Sequence, residues 1–444
     1  MRLRRYFYRQ FLLFSRIQGT LARRLTPAGR LVAGALLAAM VFGPNTRLTV
    51  AYQAFTLLLA LLAVAAALSL RAPARLEARR QLPRFATVGE PFAYRVVVRN
   101  LDATAHPGLS LVEDLEDPRP DFATFASTPE PEEARRNWFD RKVAYHRWAW
   151  LLEQNRRLEV AEHALPDVPP RTAVEVSVTA TARRRGRARF SGLSLARPDP
   201  LGLVRALRPQ ALPDALVVLP RRYALPPLEL PGSRRYQPGG ITLASSVGDS
   251  EEFLSLREYR PGDPFKRIHW RSWARVGKPI VREYQDEFFV RHGLVLDTFV
   301  PAATPAFEEA VSVAASFAAA VRTQDSLLDL MFIGAEAYVF TAGRGVGHAD
   351  RMLEVLAEVQ PCRDRAFAAL HRLVIERHGA LSGVVCVLVA WDEARRALVD
   401  HLRALGVPSL LLLVSGEDAH DGELEAGGVR RLAPGHIREG LARL

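Results

Sequence analysis

The chain has 444 residues, of which 49% are hydrophobic and 24% are charged, and it contains two cysteines. At roughly 150 residues per domain this length predicts two or three domains, and the composition excludes a small disulfide scaffold and a wholly disordered chain. The formal net charge of +12 lies in residues 1–84, which hold 14 arginines and one acid, so the nearly neutral remainder argues against nucleic-acid binding.

Two apolar runs near the amino terminus predict transmembrane helices at about 28–43 and 50–70. A helix needs about 20 apolar residues to cross the hydrocarbon core, so the second run is a full span and the first is short. Eight arginines lie at or before the start of the first run and five follow the second, whereas the loop between the runs holds Arg47. This distribution predicts a membrane protein whose two termini and soluble domains are cytoplasmic.

The first 25 residues interleave arginines with apolar side chains, namely Tyr6, Phe7, Phe11, Leu12 and Phe14. This pattern predicts a helix that lies on an anionic lipid surface, so we interpret residues 1–84 as a region that binds membrane lipids. A cleaved secretory signal, an organelle transit peptide and a buried helical hairpin of a soluble core remain as alternatives.

Residues 85–230 are predicted to form a small antiparallel β-sandwich. Apolar and polar residues alternate in three stretches, 92–99, 173–181 and 188–196, and proline and glycine turns separate the stretches. Residues 129–163 have helical periodicity and are interpreted as an insertion into the sandwich. The insertion contains three tryptophans, and the spacing favours a packed position for them over a partner-facing one: Trp138, Trp148 and Trp150.

Residues 288–444 are predicted to form an α/β domain, because apolar strand patterns alternate with helical patterns. The strands are predicted at 289–297, 327–333, 336–340, 384–390 and 409–414, and the helices at 306–322, 348–359, 365–378 and 393–405. Such an order indicates a mostly parallel, doubly wound sheet whose ligands gather at the carboxyl ends of the strands. A site is therefore expected at Asp297 and Thr298 and at Trp391 and Asp392.

The segment 231–287 links these two predicted domains and contains a long charged and aromatic motif. Its most informative residues are Arg257, Glu258, Tyr259, Pro261, Gly262, Asp263, Arg267, Ile268, His269, Trp270, Ala274 and Arg275. This run resembles the signature of the bacterial family known as domain of unknown function 58. The resemblance extends upstream to Arg185-Gly186 and to the stretch Asp199-Pro200-Leu201-Gly202-Leu203.

The resemblance implies a membrane-anchored protein with a carboxyl-terminal domain similar to a von Willebrand factor A domain. Members of the family are often encoded beside MoxR-type AAA+ ATPases and are thought to act with them in assembling or remodelling other proteins. No activity is firmly established for the family. The insertion at 129–163 lies outside the part that is typical of the family.

The residues of the motif allow a structural and a functional interpretation. Pro261, Gly262 and Asp263 predict a tight turn, and the interleaved arginines and acids favour an ion-pair network that clamps the sandwich to the α/β domain. The alternative is a surface that binds a partner or an anion. A third hypothesis is an enzyme in which His269 acts as a base beside Asp263 and Arg267.

The strand-end residues permit a degenerate metal site at most. Metal-binding von Willebrand factor A domains present Asp-x-Ser-x-Ser after the first strand, whereas this chain has Asp297-Thr298-Phe299-Val300-Pro301. Asp392 can add a second carboxylate, but the two serine positions lack side-chain oxygens. We therefore expect hydrogen bonds to loop amides there, with metal-dependent adhesion through Asp297 as a weaker hypothesis.

No phosphate-binding loop, zinc-protease motif or dinucleotide fingerprint occurs in the sequence, so no cofactor and no small-molecule substrate is predicted. Cys362 and Cys386 have no paired spacing, which favours a reducing compartment. The sequence thus predicts a non-enzymatic adaptor in three parts: a transmembrane hairpin, a sandwich, and an α/β domain. The expected partner is a cytoplasmic protein, plausibly an AAA+ ATPase.

Overall fold

A computed structural model describes most of the chain. The described residues are 2–42, 49–70, 75–226, 253–261, 263, 265, 268–284, 290–320, 326–342, 346–416, 424 and 427–444. The chain forms two compact units, and each is built from several separate stretches. The first unit contains Met1–Arg222, Val300–Ala315 and Leu353–Pro361, and the second contains Tyr223–Phe299, Ser316–Met352 and Cys362–Leu444.

The first unit begins with three helices, α1 (Arg2–Arg24), α2 (Pro27–Phe42) and α3 (Thr49–Ser69). Helices α2 and α3 contact each other. Among the described helices, one is long and apolar enough by length and composition to cross a membrane, at Val50–Ser69, and 6% of that stretch is buried inside the protein. The apolar helix at Pro27–Val41 is shorter.

Nine strands follow, in two sheets. They are β1 (Leu76–Gln81), β2 (Phe85–Thr87), β3 (Pro91–Asn100), β4 (Ser110–Leu115), β5 (Leu158–Val160), β6 (His163–Ala164), β7 (Ala173–Ala182), β8 (Gly186–Pro198) and β9 (Arg205–Leu219). The sheet orders are β1-β3-β7-β5 and β2-β9-β8-β4-β6. All described pairs are antiparallel except β2 with β9.

One hydrophobic core joins the two sheets of this sandwich. Val96, Val98 and Val178 from the first sheet share a buried cluster with Phe190 and Leu216 from the second. The alternation of apolar and polar residues explains this, because in a strand every second side chain points to the same face. The alternating stretches at 92–99, 173–181 and 188–196 coincide with β3, β7 and β8.

The insertion is helical, but it is not one continuous helix from 129 to 163. The helical region begins earlier than predicted, with α4 (Phe122–Ser127), and continues through α5 (Trp138–Val143) and α6 (Tyr145–Asn155), whereas residues 158–160 and 163–164 are already strands of the sandwich. Ala144 separates α5 from α6 because its backbone is left-handed, with φ of 58°. Of the tryptophans, Trp148 is buried, whereas Trp138 is 66% exposed and does not fit the packed prediction.

The second unit begins with a small hairpin module, β10 (Phe253–Glu258), α7 (Trp270–Val276) and β11 (Ile280–Tyr284). Six further strands form one sheet: β12 (Val290–Leu296), β13 (Ser326–Ile333), β14 (Ala337–Ala342), β15 (Gly383–Leu388), β16 (Ser409–Val414) and β17 (Val429–Leu432). Its order is β14-β13-β12-β15-β16-β17. The neighbours are parallel except β14, which is antiparallel to β13.

Five helices accompany this sheet in the chain: α8 (Pro305–Ala320), α9 (Val346–Glu358), α10 (Ala368–Arg377), α11 (Glu393–Ala404) and α12 (Ile437–Leu441). The boundary between the two compact units cuts through α8 and α9. Every residue of β15 is buried, as expected for a central parallel strand. In strand order the sheet reads 3-2-1-4-5-6, so its topological switch point lies between β12 and β15.

Candidate functional site

The charged motif forms a compact hairpin, which we call the signature module (described residues of 253–284). Strands β10 and β11 pair antiparallel, with Arg257 opposite Val281 and Glu258 opposite Ile280. The chain between them is held to β11 by backbone hydrogen bonds, in which Tyr259 N–H donates to Pro279 O and His269 N–H to Ile280 O. The motif residues that the structure describes therefore all lie in one hairpin.

Asp263 closes the predicted turn. The Asp263 N–H donates to Arg260 O at 3.0 Å, and its Oδ2 accepts the Arg260 N–H at 2.8 Å. The Arg257 guanidinium binds the same carboxylate with both terminal nitrogens, at 2.7 and 2.8 Å. These hydrogen bonds, first that of Arg257 and then that of the Arg260 N–H, lower the pKa of Asp263 from 3.8 to about 2.

His269 is engaged elsewhere. Its Nδ1 lies 2.7 Å from the Ser272 hydroxyl, three residues along the chain and inside the first turn of α7. Within the described residues, the hydrogen bonds of Asp263 go to Arg257 and Arg260, so the structure does not bring His269 and Asp263 together as an acid–base pair.

Two aromatic residues of the module, Phe265 and Trp270, are exposed to solvent, and each stacks on a half-buried ring. Trp270 stacks on Trp273 with ring centroids 5.2 Å apart, and Tyr259 stacks on Phe265 at 5.9 Å. Trp270 is 63% exposed and Phe265 is 72% exposed. Helix α7 has no buried residue. At this level of exposure, these large aromatic side chains leave apolar area in contact with water, which is unfavourable.

The same module carries excess positive charge. Residues 253–284 contain eight arginines and lysines and three acids. Two of these acids are already paired, Asp263 with Arg257 and Glu258 with Lys278 at 3.2 Å. Arg260, Arg271 and Arg275 are exposed, as are Pro261 and Ala274. Gly262 and Arg267, which the sequence also singled out, lie outside the described residues.

A second cluster lies at the carboxyl ends of β12 and β15, where the sequence predicted a site. Asp297 follows β12 and is fully buried. Its carboxylate accepts N–H bonds from Phe299 at 3.0 Å and from Val389 at 3.3 Å. The neighbouring Thr298 donates its hydroxyl to Ile333 O at 2.5 Å. The expected hydrogen bonds to loop amides are therefore present.

Arg395 completes this cluster. Its Nε and one terminal nitrogen lie 3.1 and 3.2 Å from the two oxygens of Asp297, and its other terminal nitrogen lies 2.5 Å from Asp392. Asp392 also caps α11 by accepting the Arg395 N–H at 3.0 Å. Burial raises the pKa of Asp297, and the charge and hydrogen bonds of Arg395 oppose that rise.

These residues do not fit a divalent cation. Magnesium needs about six oxygen ligands, and the two carboxylates here already bind the guanidinium that lies between them. The Thr298 hydroxyl is committed as a donor to Ile333. In the part of the chain that the structure describes, no group of three or more His, Cys, Asp and Glu side chains could hold a metal.

Comparison with known proteins matches the module and the sheet to one family. Residues 255–435 match the family described as "Protein of unknown function DUF58". We call this part of the chain the DUF58 region, after the family that it matches. The uncharacterized protein YeaD of Bacillus subtilis (strain 168) is 30% identical over 177 residues, which cover 39% of this chain and 42% of YeaD. The chain therefore spans less than half the length of this relative.

The resemblance inferred from the signature motif is confirmed for this DUF58 region. Solved structures add little. Those matched include the CARDB domain of PF1109 from Pyrococcus furiosus, at 12% identity over 32% of this chain and 93% of that domain, with a TM-score of 0.17. Escherichia coli alpha-2-macroglobulin matches at 12% identity over 41% of this chain and 9% of that one, with a TM-score of 0.19. These scores are too low to support any argument about function.

Arg395 is the residue of the DUF58 region that sequence reasoning missed. One signal was available, because an arginine in the first turn of a helix opposes the helix dipole and needs a local reason. Here the reason is the pair of carboxylates, one of which is the N-cap of the same helix. The Asp392-x-x-Arg395 spacing could have indicated it.

Upstream of the DUF58 region, Arg185 has a structural role within the first unit. Its buried side chain donates to Val359 O at 2.5 Å and to Leu356 O at 3.2 Å, pairs with Glu308, and lies over the ring of Phe307. Arg185 sits in the turn between β7 and β8. This one guanidinium therefore connects that turn to residues of α8 and α9.

Proposed function

We propose that the protein is a non-enzymatic, membrane-anchored adaptor whose signature module binds an acidic surface of a cytoplasmic protein. The observation that carries this proposal is the combination, in one hairpin, of exposed stacked aromatics with unneutralised positive charge. Protein interfaces are enriched in Trp, Tyr and Arg, and binding energy concentrates on such residues. The surplus of arginine favours an acidic partner.

The family resemblance supports a particular class of partner. Proteins with this signature are often encoded beside MoxR-type AAA+ ATPases, so we propose such an ATPase as the partner and protein assembly or remodelling as the process. Nucleotide hydrolysis would then belong to the partner. The 3-2-1-4-5-6 order with one antiparallel edge strand supports a von Willebrand factor A-like assignment for the six-stranded sheet.

The amino-terminal helices support the membrane assignment. Helix α3 has the length and apolarity of a span, and the shorter α2 contacts it, which supports a transmembrane hairpin. Arginines lie at both outer ends of this pair, which favours cytoplasmic termini. We therefore propose an inner-membrane location with both compact units in the cytoplasm.

The enzyme hypothesis is less well supported. Its two central groups, Asp263 and His269, each have a different hydrogen-bond partner. Metal-dependent adhesion through Asp297 is also disfavoured, because Arg395 already supplies the positive charge between Asp297 and Asp392. The first consideration favours binding over catalysis, and the second disfavours binding that depends on a metal at Asp297.

Site-specific photo-crosslinking in the native host tests the proposed interaction. A benzophenone amino acid at position 270 or 265 should trap the same acidic protein in vivo, and that protein should be an AAA+ ATPase. Position 138 is the matched control, because Trp138 is equally exposed but lies in the insertion. Arg271→Glu combined with Arg275→Glu should abolish the adduct. Identical adducts from positions 138 and 270, or none from 265 and 270, would contradict the proposal.

A further inference from the structure

Helix α1 has two apolar faces, and one of them is already packed. Tyr8, Phe11 and Leu12 lie against the insertion, in a cluster with buried Phe125 and Trp148. The Tyr8 ring centroid lies 5.5 Å from that of Phe125 and 5.6 Å from that of Trp148. The Tyr8 hydroxyl donates to Pro120 O at 3.1 Å. This face is therefore committed to protein contacts and is not available to a membrane.

The opposite face of α1 is largely apolar and exposed, and Gln10 and Arg24 are its polar members. Its apolar members are between 44% and 68% exposed: Leu3, Tyr6, Leu13, Phe14, Ile17 and Leu21. With 3.6 residues per turn, these six positions fall within an arc of about 100°. The centre of that arc is nearly opposite the centre of Tyr8, Phe11 and Leu12. The predicted lipid-binding set is thus corrected, because Phe11 and Leu12 face the insertion.

The charge of α1 indicates what binds to its exposed face. Helix α1 contains seven arginines and no acidic residue. Arg23 pairs with Asp114, and Arg5 lies over the ring of Phe122. Arg9 and Arg16 project from exposed positions beside the apolar arc. An apolar stripe with arginines along one edge matches the chemistry of an anionic lipid surface, where rings and aliphatic chains enter the headgroup layer and guanidinium groups bind phosphate.

The junction between α1 and α2 fixes this face relative to the first apolar helix. Thr26 donates its N–H to Leu203 O at 3.1 Å and its hydroxyl to Gly202 O at 2.6 Å. Asp199 holds that loop by accepting the N–H groups of Leu203 and Val204. Because α2 begins at Pro27, the loop 199–204 anchors α1 directly beside the start of α2.

We infer that α1 is an interfacial helix that binds anionic lipid headgroups with the face Leu3, Tyr6, Leu13, Phe14, Ile17 and Leu21, while its other face holds the insertion. This inference rests on the proposed membrane anchor. It adds a second contact with the bilayer, which would hold the sandwich and its insertion at the membrane surface.

Spin labels on the full chain in lipid vesicles test this inference. Ile17→Cys reports the exposed face, and Gly19→Cys is the control on the same helix, where an added side chain meets open space. Both native cysteines are buried. In phosphatidylcholine vesicles containing phosphatidylglycerol, the label at 17 should collide severalfold less often with a water-soluble nickel complex than the label at 19, and more often with oxygen.

The charge dependence provides the second criterion. Removing phosphatidylglycerol, or introducing Arg9→Gln with Arg16→Gln, should reduce the difference between positions 17 and 19. Equal exposure of both labels to nickel in anionic vesicles would overturn the inference. Protection of position 17 from both nickel and oxygen would also overturn it, since that result indicates a protein contact.

A label at Leu59→Cys, on α3, separates this inference from the proposed anchor. If position 59 lies in lipid and position 17 does not, α1 is not interfacial but the anchor stands. If position 59 is exposed to water, the anchor itself fails.

Discussion

At the scale of single residues, Arg395 determines what the strand ends can do. It neutralises Asp297, which is fully buried, and it reaches Asp392 on its own helix. A guanidinium cannot lose its proton in a protein, so the charge between these carboxylates is permanent. The buried pair of Asp297 and Arg395 is therefore a permanent ion pair, with Asp392 as a second partner of the same guanidinium.

Removing the Arg395 guanidinium should destabilise the folded protein. Arg395→Met leaves Asp297 buried without its partner, and breaking a buried ion pair costs about 3–5 kcal/mol. Hydrogen exchange of the β12 and β15 amides, measured on the full chain in detergent, should accelerate accordingly. The double variant Asp297→Asn with Arg395→Met removes both charges and should recover part of the loss. Unchanged exchange in Arg395→Met would contradict this role.

Asp263 gives a pH prediction at the same scale. Its pKa is lowered from 3.8 to about 2, chiefly by Arg257. Because the pKa is lower in the folded state, the stabilisation of the turn is complete above the ordinary value and is lost as the pH falls through about 2. A carbon-13 titration of the carboxylate should show a midpoint near 2.

The matched variants for this titration are Arg257→Gln and Arg271→Gln. The first should move the midpoint upward towards 3.8, whereas the second should leave it in place, because the described hydrogen bonds of Asp263 come from Arg257 and Arg260. A wild-type midpoint near 3.8 would contradict the structure of the turn.

At the scale of elements, the close approach of α2 to the loop 199–204 depends on a glycine. A Cβ added to Gly29 would lie 1.9 Å from the backbone oxygen of Leu203, whereas one added to Gly34 on the same helix would meet nothing within 4 Å. Close contact with backbone cannot be relieved by a side-chain rotation, so α2 would have to move away from the loop 199–204.

Gly29→Ala should therefore weaken the junction between α1 and α2, and the overlap should cost about 1–3 kcal/mol. The measurement is the rate of tryptic cleavage at Arg24 and Arg30 in the full chain. Gly34→Ala is the control and should leave the rate unchanged. Equal rates for the two variants would show that Gly29 does not hold α2 against the loop 199–204.

Most elements could be predicted from periodicity, and the failures have local causes. The strands β3, β7 and β16 match their predicted stretches closely, because burial on one or both faces leaves a clear pattern. The insertion was predicted as one helix because its apolar spacing is helical throughout. The break at Ala144 depends on a left-handed residue for which an alanine gives no signal.

The candidate sites were predictable to different degrees. Asp297 and Asp392 could be placed together because parallel strands end at one edge of the sheet. The guanidinium between them could not, since a contact made across 98 residues has no periodic signature. In the signature module the turn at Pro261–Asp263 was predictable, but the outward orientation of Trp270 was not. The predicted clamp between the domains remains a prediction.

At the scale of the whole molecule, the two compact units do not follow the order of the chain. Residues 300–315 and 353–361 join the first unit although they lie between strands of the six-stranded sheet. Arg185 shows one physical basis for this, because it binds Glu308, Leu356 and Val359 within the first unit. A variant that ends at residue 288 would lose Glu308, Leu356 and Val359 and would leave Arg185 without these contacts. Functional tests therefore require the full chain.

The central claim is that an amino-terminal anchor holds the signature module at the cytoplasmic side of a membrane. The most direct measurement is maleimide labelling of Trp270→Cys in intact spheroplasts and in inverted vesicles, after alkaline extraction of the membranes. We predict that the protein resists extraction and that position 270 is labelled in inverted vesicles alone. Release into the soluble fraction, or labelling of position 270 in intact spheroplasts, would contradict the claim.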